Sequence, residues 1–159
     1  MRLFKIKNTK SFMSHLFLKD TFDELNLINA SIKTFCTYNI DGKFERNFFK
    51  NDENSEVNND RIYCKWSELK GTATSLIKGH NTPLFMKFIF SSNLSIIGED
   101  LNDDTVESLT LTVKFDENGL TLTSAVNRKN FSLDKSIDAA WDKKTEELLI
   151  AASLNFDEE

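Results

Sequence analysis

The chain has 159 residues, a formal net charge of −5 and 40% hydrophobic residues. One domain of this length hides roughly 70% of the surface of its unfolded chain, so it can form a core without a metal or a disulfide. The acidic charge gives no overall attraction to nucleic acid or to an anionic membrane. No stretch approaches the roughly 20 apolar residues that cross a bilayer, and no apolar run near the start resembles a signal peptide.

The first part of the chain is predicted to form a strand, a helix and a run of strands. Within residues 2–7, Phe4 and Ile6 alternate with Lys5 and Lys7, which is typical of a strand. Asn8 or Thr9 can cap a helix that runs to about Lys19. Residues 22–50 then have β character.

Within this β region, two local signals predict how the strands are divided. The parity of the apolar residues changes near Asn29, which requires a bulge or a turn. Asp41-Gly42 is a two-residue hairpin signal, and residues 44–49 are predicted as the returning strand. Residues 50–60 contain one apolar residue in eleven and are predicted as a solvated loop.

The second part of the chain repeats the pattern of a helix followed by strands. A helix is predicted over residues 61–78, with Gly79 as its C-terminal cap and Gly71 in its interior, where a glycine can permit close approach of another backbone. Pro83 opens the next strand. Residues 109–123 form the clearest hairpin, with alternating residues on both sides of Asn118-Gly119.

The end of the chain is predicted to form a short strand, a helix and a tail. Phe131 and Leu133 belong to the strand, and Ser132 or Asp134 caps a helix that runs to about Ala152. We therefore expect one α+β domain over residues 1–154, followed by an acidic tail over residues 155–159 that frays. The expected fold is an antiparallel sheet with two helices packed on one face, in a strand–helix–meander arrangement that occurs twice, plus a C-terminal helix.

The residues that could carry chemistry do not form a known motif. Cys36 and Cys64 have neither disulfide nor metal spacing, and we interpret them as reduced thiols of a cytoplasmic protein. His15 and His80 have no local partner pattern, and a pairing of either histidine with a cysteine stays open. No cofactor, metal or catalytic residue is predicted, which favours a protein that is not an enzyme.

Basic residues of the first two helices are the candidate site for a partner. They are Lys10, Lys19, Lys70 and Lys78. They could form a mildly basic face that contacts an anionic partner, or they could be ordinary solvated positions on helix surfaces.

Three stretches of the sequence carry a resemblance to a known family. They are MRLFKIKNTKSFMSHL at the start, TFCTYNIDG at residues 34–42 and FSLDKSIDAAWDKK at residues 131–144. The chain resembles a family of uncharacterised bacterial proteins with a domain of unknown function, and this resemblance implies no activity. The order of elements is also similar to one domain of a DNA sliding clamp, in which two helices lie side by side on a sheet and basic residues face DNA.

Three hypotheses for the function follow. The first is a non-enzymatic intracellular binding module with a protein partner or a second copy, acting through a helix face or a sheet edge; an exposed apolar patch around Phe48-Phe49 or Trp141 would favour it. The second is a clamp-like module associated with nucleic acid, which needs a contiguous surface of lysines and arginines. The third is a small ligand-binding domain or enzyme, which needs a pocket with convergent polar groups.

Overall fold

The computed structural model describes residues 1–49, 60–77, 79, 81–98 and 101–159. These residues form a seven-stranded antiparallel sheet and three α-helices, which confirms the α+β class and the C-terminal helix. The strands are β1 (Arg2–Ile6), β2 (Asn26–Lys33), β3 (Thr37–Asp41), β4 (Phe85–Ser92), β5 (Val106–Asp116), β6 (Gly119–Arg128) and β7 (Phe156–Glu158). The helices are α1 (Thr9–Phe17), α2 (Trp66–Leu76) and α3 (Ser136–Ala151). The strand order is β3-β2-β4-β5-β6-β1-β7.

One face of the sheet is apolar because the strands pair in registers that align their apolar residues. One row of cross-strand neighbours runs across six strands and consists of Ile40, Ala30, Phe88, Val113, Leu122 and Phe4. Five of these six side chains are buried, and Ile40 is half-buried beside them. Cross-strand pairs of this kind are the unit of sheet stabilisation, so the alternation in each strand sets the common face.

All three helices cover this apolar face. The fully buried indole of Trp66 in α2 lies 5.4 Å, centroid to centroid, from both Phe88 and Phe90 of β4. The indole of Trp141 in α3 donates a 2.9 Å hydrogen bond to the carbonyl of Thr110 in β5. The side chains that α1 buries join the same core cluster. The opposite face of the sheet has no helix of the described residues on it, which is the usual arrangement of a half-solvated antiparallel sheet.

The change of parity near Asn29 is confirmed, because the pairing of β2 with β4 shifts register between Leu27 and Asn29. At the start of β2, residues 62–65 lie between that strand and residues 42–44, which follow β3. The amide of Leu27 donates to the carbonyl of Cys64 at 2.9 Å, and the amide of Cys64 donates to the carbonyl of Gly42 at 2.7 Å. The sheet therefore forks where β2 begins and β3 ends, and we call this insertion the fork.

The hairpin predicted at Asp41-Gly42 is wrong. The turn between β2 and β3 lies at residues 34–36 and is closed by the amide of Thr34, which donates to the carbonyl of Cys36. Gly42 instead permits the fork, because a Cβ atom on it would lie 1.7 Å from the carbonyl oxygen of Leu27. The predicted returning strand over residues 44–49 is also wrong, because Arg46–Phe49 form a single 3-10 turn.

Other boundaries differ where tertiary pairing overrides the local pattern. Helix α2 begins at Trp66 because residues 62–65 are extended in the fork. Phe131 and Leu133 are exposed and form no strand. The tail does not fray, because Phe156–Glu158 pair with β1. The hairpin of β5 and β6 is confirmed, and the prediction for residues 50–60 lies almost wholly outside the described residues.

Replacement of Gly42 by alanine is expected to destabilise the protein by roughly 3 kcal/mol or more, because the new Cβ atom overlaps backbone atoms that cannot rotate away. The free energy of unfolding, measured by denaturant titration, checks this. Gly71→Ala in α2 is the matched control. Nothing lies within 4 Å of a Cβ atom built on Gly71, so this variant should gain up to about 1 kcal/mol from the helix propensity of alanine. A Gly42→Ala variant as stable as the wild type would contradict the account of the fork.

Candidate binding surface

The two edges of the sheet differ in how they are protected. The β7 edge has three residues, and its carboxylates are held in ion pairs: Asp157 lies 2.9 Å from the ammonium of Lys7, and Glu158 pairs with Arg2. The β3 edge, Thr37-Tyr38-Asn39-Ile40-Asp41, contains no lysine, no proline and no bulge with β2. Proteins normally place such features on edge strands to prevent pairing with another chain. The β3 edge therefore lacks the protection that the β7 edge has.

The backbone groups of β3 point in directions that its pairing with β2 fixes. The amide of Gly42 donates to the carbonyl of Ile28 at 2.9 Å, which identifies this pair as a hydrogen-bonded one. Hydrogen-bonded pairs alternate along an antiparallel ladder, so Tyr38 and Ile40 also bond to β2. The N–H and C=O groups of Thr37, Asn39 and Asp41 consequently point away from the sheet. Among the described residues, no strand pairs with this outer side of β3.

The side chains of β3 divide between the two faces of the sheet. Tyr38 and Ile40 lie on the helix-covered face and are half-buried, whereas Thr37, Asn39 and Asp41 lie exposed on the open face. A hydrogen bond with the Cys36 side chain raises the pKa of the Tyr38 hydroxyl above its ordinary value of 10.0. Tyr38 is therefore a neutral phenol at physiological pH, and the helix side of the edge carries no charge.

Exposed aromatic rings occur before and after β3 in the chain. Phe35, in the turn before β3, is 93% exposed, and its ring lies 6.4 Å from that of Tyr38. Phe48, in the 3-10 turn that follows β3 in the chain, is 84% exposed and packs edge-on against Phe49 at 5.1 Å. Large apolar side chains this exposed are typical of interaction sites when they lie beside a second binding feature. Trp141, the other predicted patch residue, is buried.

Of the predicted partner-facing lysines, the structure brings Lys70 against Lys19 and places Lys10 near the other end of α1. Lys10 is exposed near the start of α1, and Lys19 follows the other end of that helix. The ammonium of Lys70 lies 2.7 Å from the carboxylate of Asp23 and 3.1 Å from the carbonyl of Lys19, so its charge is compensated. Lys78 lies outside the described residues.

Sequence reasoning missed a row of lysines on the open face of the sheet. Lys87 of β4 is the direct cross-strand neighbour of Lys114 of β5, and Thr121 of β6 separates Lys114 from Lys5 of β1. Lys114 is compensated by Asp116 at 3.3 Å. The sequence shows that each of these lysines alternates with apolar residues in its own strand. Their alignment across strands depends on registers that no local pattern gives.

His15 is placed to stabilise the fold and not to activate a cysteine. It is buried, its Nδ1 atom lies 2.7 Å from the hydroxyl of Thr21, and its Nε2 atom lies 3.5 Å from the ammonium of Lys19. Burial lowers the pKa of His15, and the charge of Lys19 lowers it further. Cys36 and Cys64 are both free, and burial raises the pKa of the Cys64 thiol.

A recess of about 550 Å³ lies between residues 60–65 and the ends of β2, β4, β5 and β6. Hydroxyl and amide side chains dominate its polar lining, and they include Asn26, Tyr63, Ser91, Ser108 and Asn127. Ser91, one of the lining residues, is 6% exposed. The charged residues in the lining balance, since Asp60 and Glu107 accompany Arg61 and Lys65.

The comparisons with known proteins identify a family. Residues 15–157 match DUF5721, a family of unknown function, and the chain belongs to this family. No curated protein and no solved structure matches the chain. In the described ranges, no helix is long and apolar enough to cross a membrane.

The stability of the protein is expected to fall as the pH drops below 6.5, the ordinary pKa of a histidine. The folded state holds His15 at a lowered pKa, so in this window the unfolded chain binds the proton more tightly. The contribution of His15 to the free energy of unfolding is complete above pH 6.5. It is lost as the pH falls towards the lowered pKa of His15 in the folded state. Denaturant titrations between about pH 5 and about pH 8 measure the effect.

The variant His15→Gln is the control for this pH dependence, because glutamine keeps a polar side chain but has no proton to gain. Its stability should vary less with pH over the same interval. An equal slope for the two proteins would show that another group controls the acid sensitivity.

Proposed function

We propose that this protein is a non-enzymatic interaction module that binds an extended segment of a protein partner along β3. The observation that carries the proposal is the edge strand, whose three outward-facing residues, Thr37, Asn39 and Asp41, present backbone groups that pair with no other strand among the described residues. A partner segment added there would form an eighth strand, which is a recurring mode of peptide recognition. The free thiols of Cys36 and Cys64 support a cytoplasmic location as part of this proposal.

The energetics of the edge favour a modest affinity that depends on the flanking rings. Each backbone hydrogen bond gains roughly 0.5–1.5 kcal/mol net, because both groups leave water. The ordering of the partner segment opposes this gain. The exposed ring of Phe35, and the half-buried Tyr38 beside it, supply apolar surface that a partner side chain can cover.

The variant Asn39→Pro tests this proposal without disturbing the fold. The amide of Asn39 points away from β2, so proline at this position removes an outward donor and leaves the bonds between β2 and β3 intact. We would select binders from a displayed library of random peptides with the wild-type protein and measure their dissociation constants. Selected peptides should alternate apolar and polar residues, and Asn39→Pro should raise their dissociation constants about tenfold or more.

Asn39→Ala is the matched control, because it removes the same side chain and keeps the amide. Its affinity for the selected peptides should stay within about threefold of the wild type. The proposal fails if the library yields no binder, or if Asn39→Pro and Asn39→Ala bind the selected peptides equally.

The recess between residues 60–65 and the strand ends favours a second candidate function, the binding of a small neutral molecule that carries hydroxyl groups. The support is the convergence of hydroxyl and amide groups around a volume of about 550 Å³, with balanced charge and the nearly buried Ser91 in the lining. Ligand-observed NMR with a panel of neutral sugars and polyols would test it. Binding that Ser91→Ala abolishes and Ser31→Ala preserves would support this role, whereas a panel without a binder would count against it.

The helix lysines that the structure describes form no group of uncompensated cations that would support the clamp-like alternative. Lys10 and Lys19 lie at opposite ends of α1, and Asp23 compensates the charge of Lys70. A nucleic-acid partner needs several uncompensated cations in one place. We therefore base the proposed function on the sheet edge and not on the helix face.

A further inference from the structure

We infer that the partner strand at β3 is supplied by a second copy of this chain, so that two sheets join into one around a twofold axis at Asn39. This inference rests on the proposed function, because it names the occupant of the same edge. It commits to an antiparallel pairing, in which the strand must be complementary to itself.

The directions of the backbone groups select the register of this pairing. A twofold axis at Asn39 makes Asn39 of the two copies a hydrogen-bonded pair and places Thr37 opposite Asp41 of the second copy. All three outward-facing residues of β3 then exchange hydrogen bonds, about six in total across the interface. Lys43 cannot extend the pairing, because its amide already donates to the carboxylate of Asp41 at 2.9 Å.

The side chains of β3 match one another in this register. Tyr38 lies opposite Ile40 of the second copy, on the face that the helices cover in each copy, and this contact occurs twice. These are non-hydrogen-bonded pairs, in which side chains approach most closely, and aromatic with β-branched pairs are favourable there. Two half-buried apolar side chains in each copy would thus become covered.

The charges at the edge do not oppose the pairing. Asp41 is the only charged residue of β3, and it lies opposite Thr37 of the second copy. The two Asp41 residues are four residues apart along the paired strands, a separation of roughly 13 Å. This separation exceeds the screening length of about 8 Å at physiological ionic strength, so their repulsion is weak.

The first measurement is the mass of the protein in solution, by sedimentation equilibrium from low micromolar to about millimolar concentration. The wild type and Asn39→Ala should form dimers. Asn39→Pro removes the central outward amide of each copy and should raise the dimer dissociation constant about tenfold or more. Circular dichroism spectra and unfolding midpoints show whether both variants are folded.

The second measurement fixes which surface is used. A spin label on the exposed native Cys36, in a Cys64→Ser background, reports the distance between the two copies. In the proposed register the two Cys36 residues lie six residues apart along the paired strands, so double electron–electron resonance should give roughly 20 Å plus the length of the label arms.

The outcomes separate this inference from the proposed function. A folded wild type that stays monomeric at about millimolar concentration, or a dimer with labels farther apart than about 40 Å, overturns the inference of a second copy. If selected peptides still bind and Asn39→Pro still weakens them, the edge remains a site for another protein. If neither dimer nor peptide responds to Asn39→Pro, both proposals fail.

Discussion

The packing of the Trp66 indole holds the two helices of the first half of the fold against the sheet. Its N–H group donates a 2.7 Å hydrogen bond to the carbonyl of Leu16, in the last turn of α1, where no further turn of helix supplies a donor. Its ring also packs against Phe17, Phe88 and Phe90. One fully buried side chain therefore joins the end of α1, the start of α2 and the centre of β4. Since β4 pairs with β2, this packing also fixes the position of β2, the strand with which β3 pairs.

The fork at the start of β2 and the end of β3 determines the length of the β3 edge. Residues 62–65 enter the sheet there because Gly42 lets two backbones approach closely, and the same segment leads directly into Trp66. The pairing of β3 with β2 therefore ends at Asp41, whose carboxylate takes the amide of Lys43. What remains is a short edge of three outward residues. This length suits a reversible contact, because few hydrogen bonds form and exposed rings must supply the rest of the affinity.

Alternation of apolar residues predicted most strands and the class of the fold, because each strand buries one face and the pattern records it directly. The division of the β region was not predictable in this way. Thr34, Phe35 and Cys36 carry no turn signal, whereas Asp41-Gly42 carries a strong one for a different reason, the close approach at Gly42. The candidate site was equally hidden. Whether β3 lies at an edge depends on strand order, which is a property of the whole chain and leaves no mark on a local window.

The place of β1 in the sheet has a consequence for how the chain folds. Arg2 pairs with Ser124, so β1 can pair only after a strand more than a hundred residues later in the sequence has been made. Its other neighbour, β7, lies later still. Pairings this distant in sequence are slow to form, because the closure of a long loop precedes any reward from the contact. During synthesis the apolar side of β1 is therefore among the last surfaces to be covered, and the sheet is completed from β2, β4, β5 and β6 outwards.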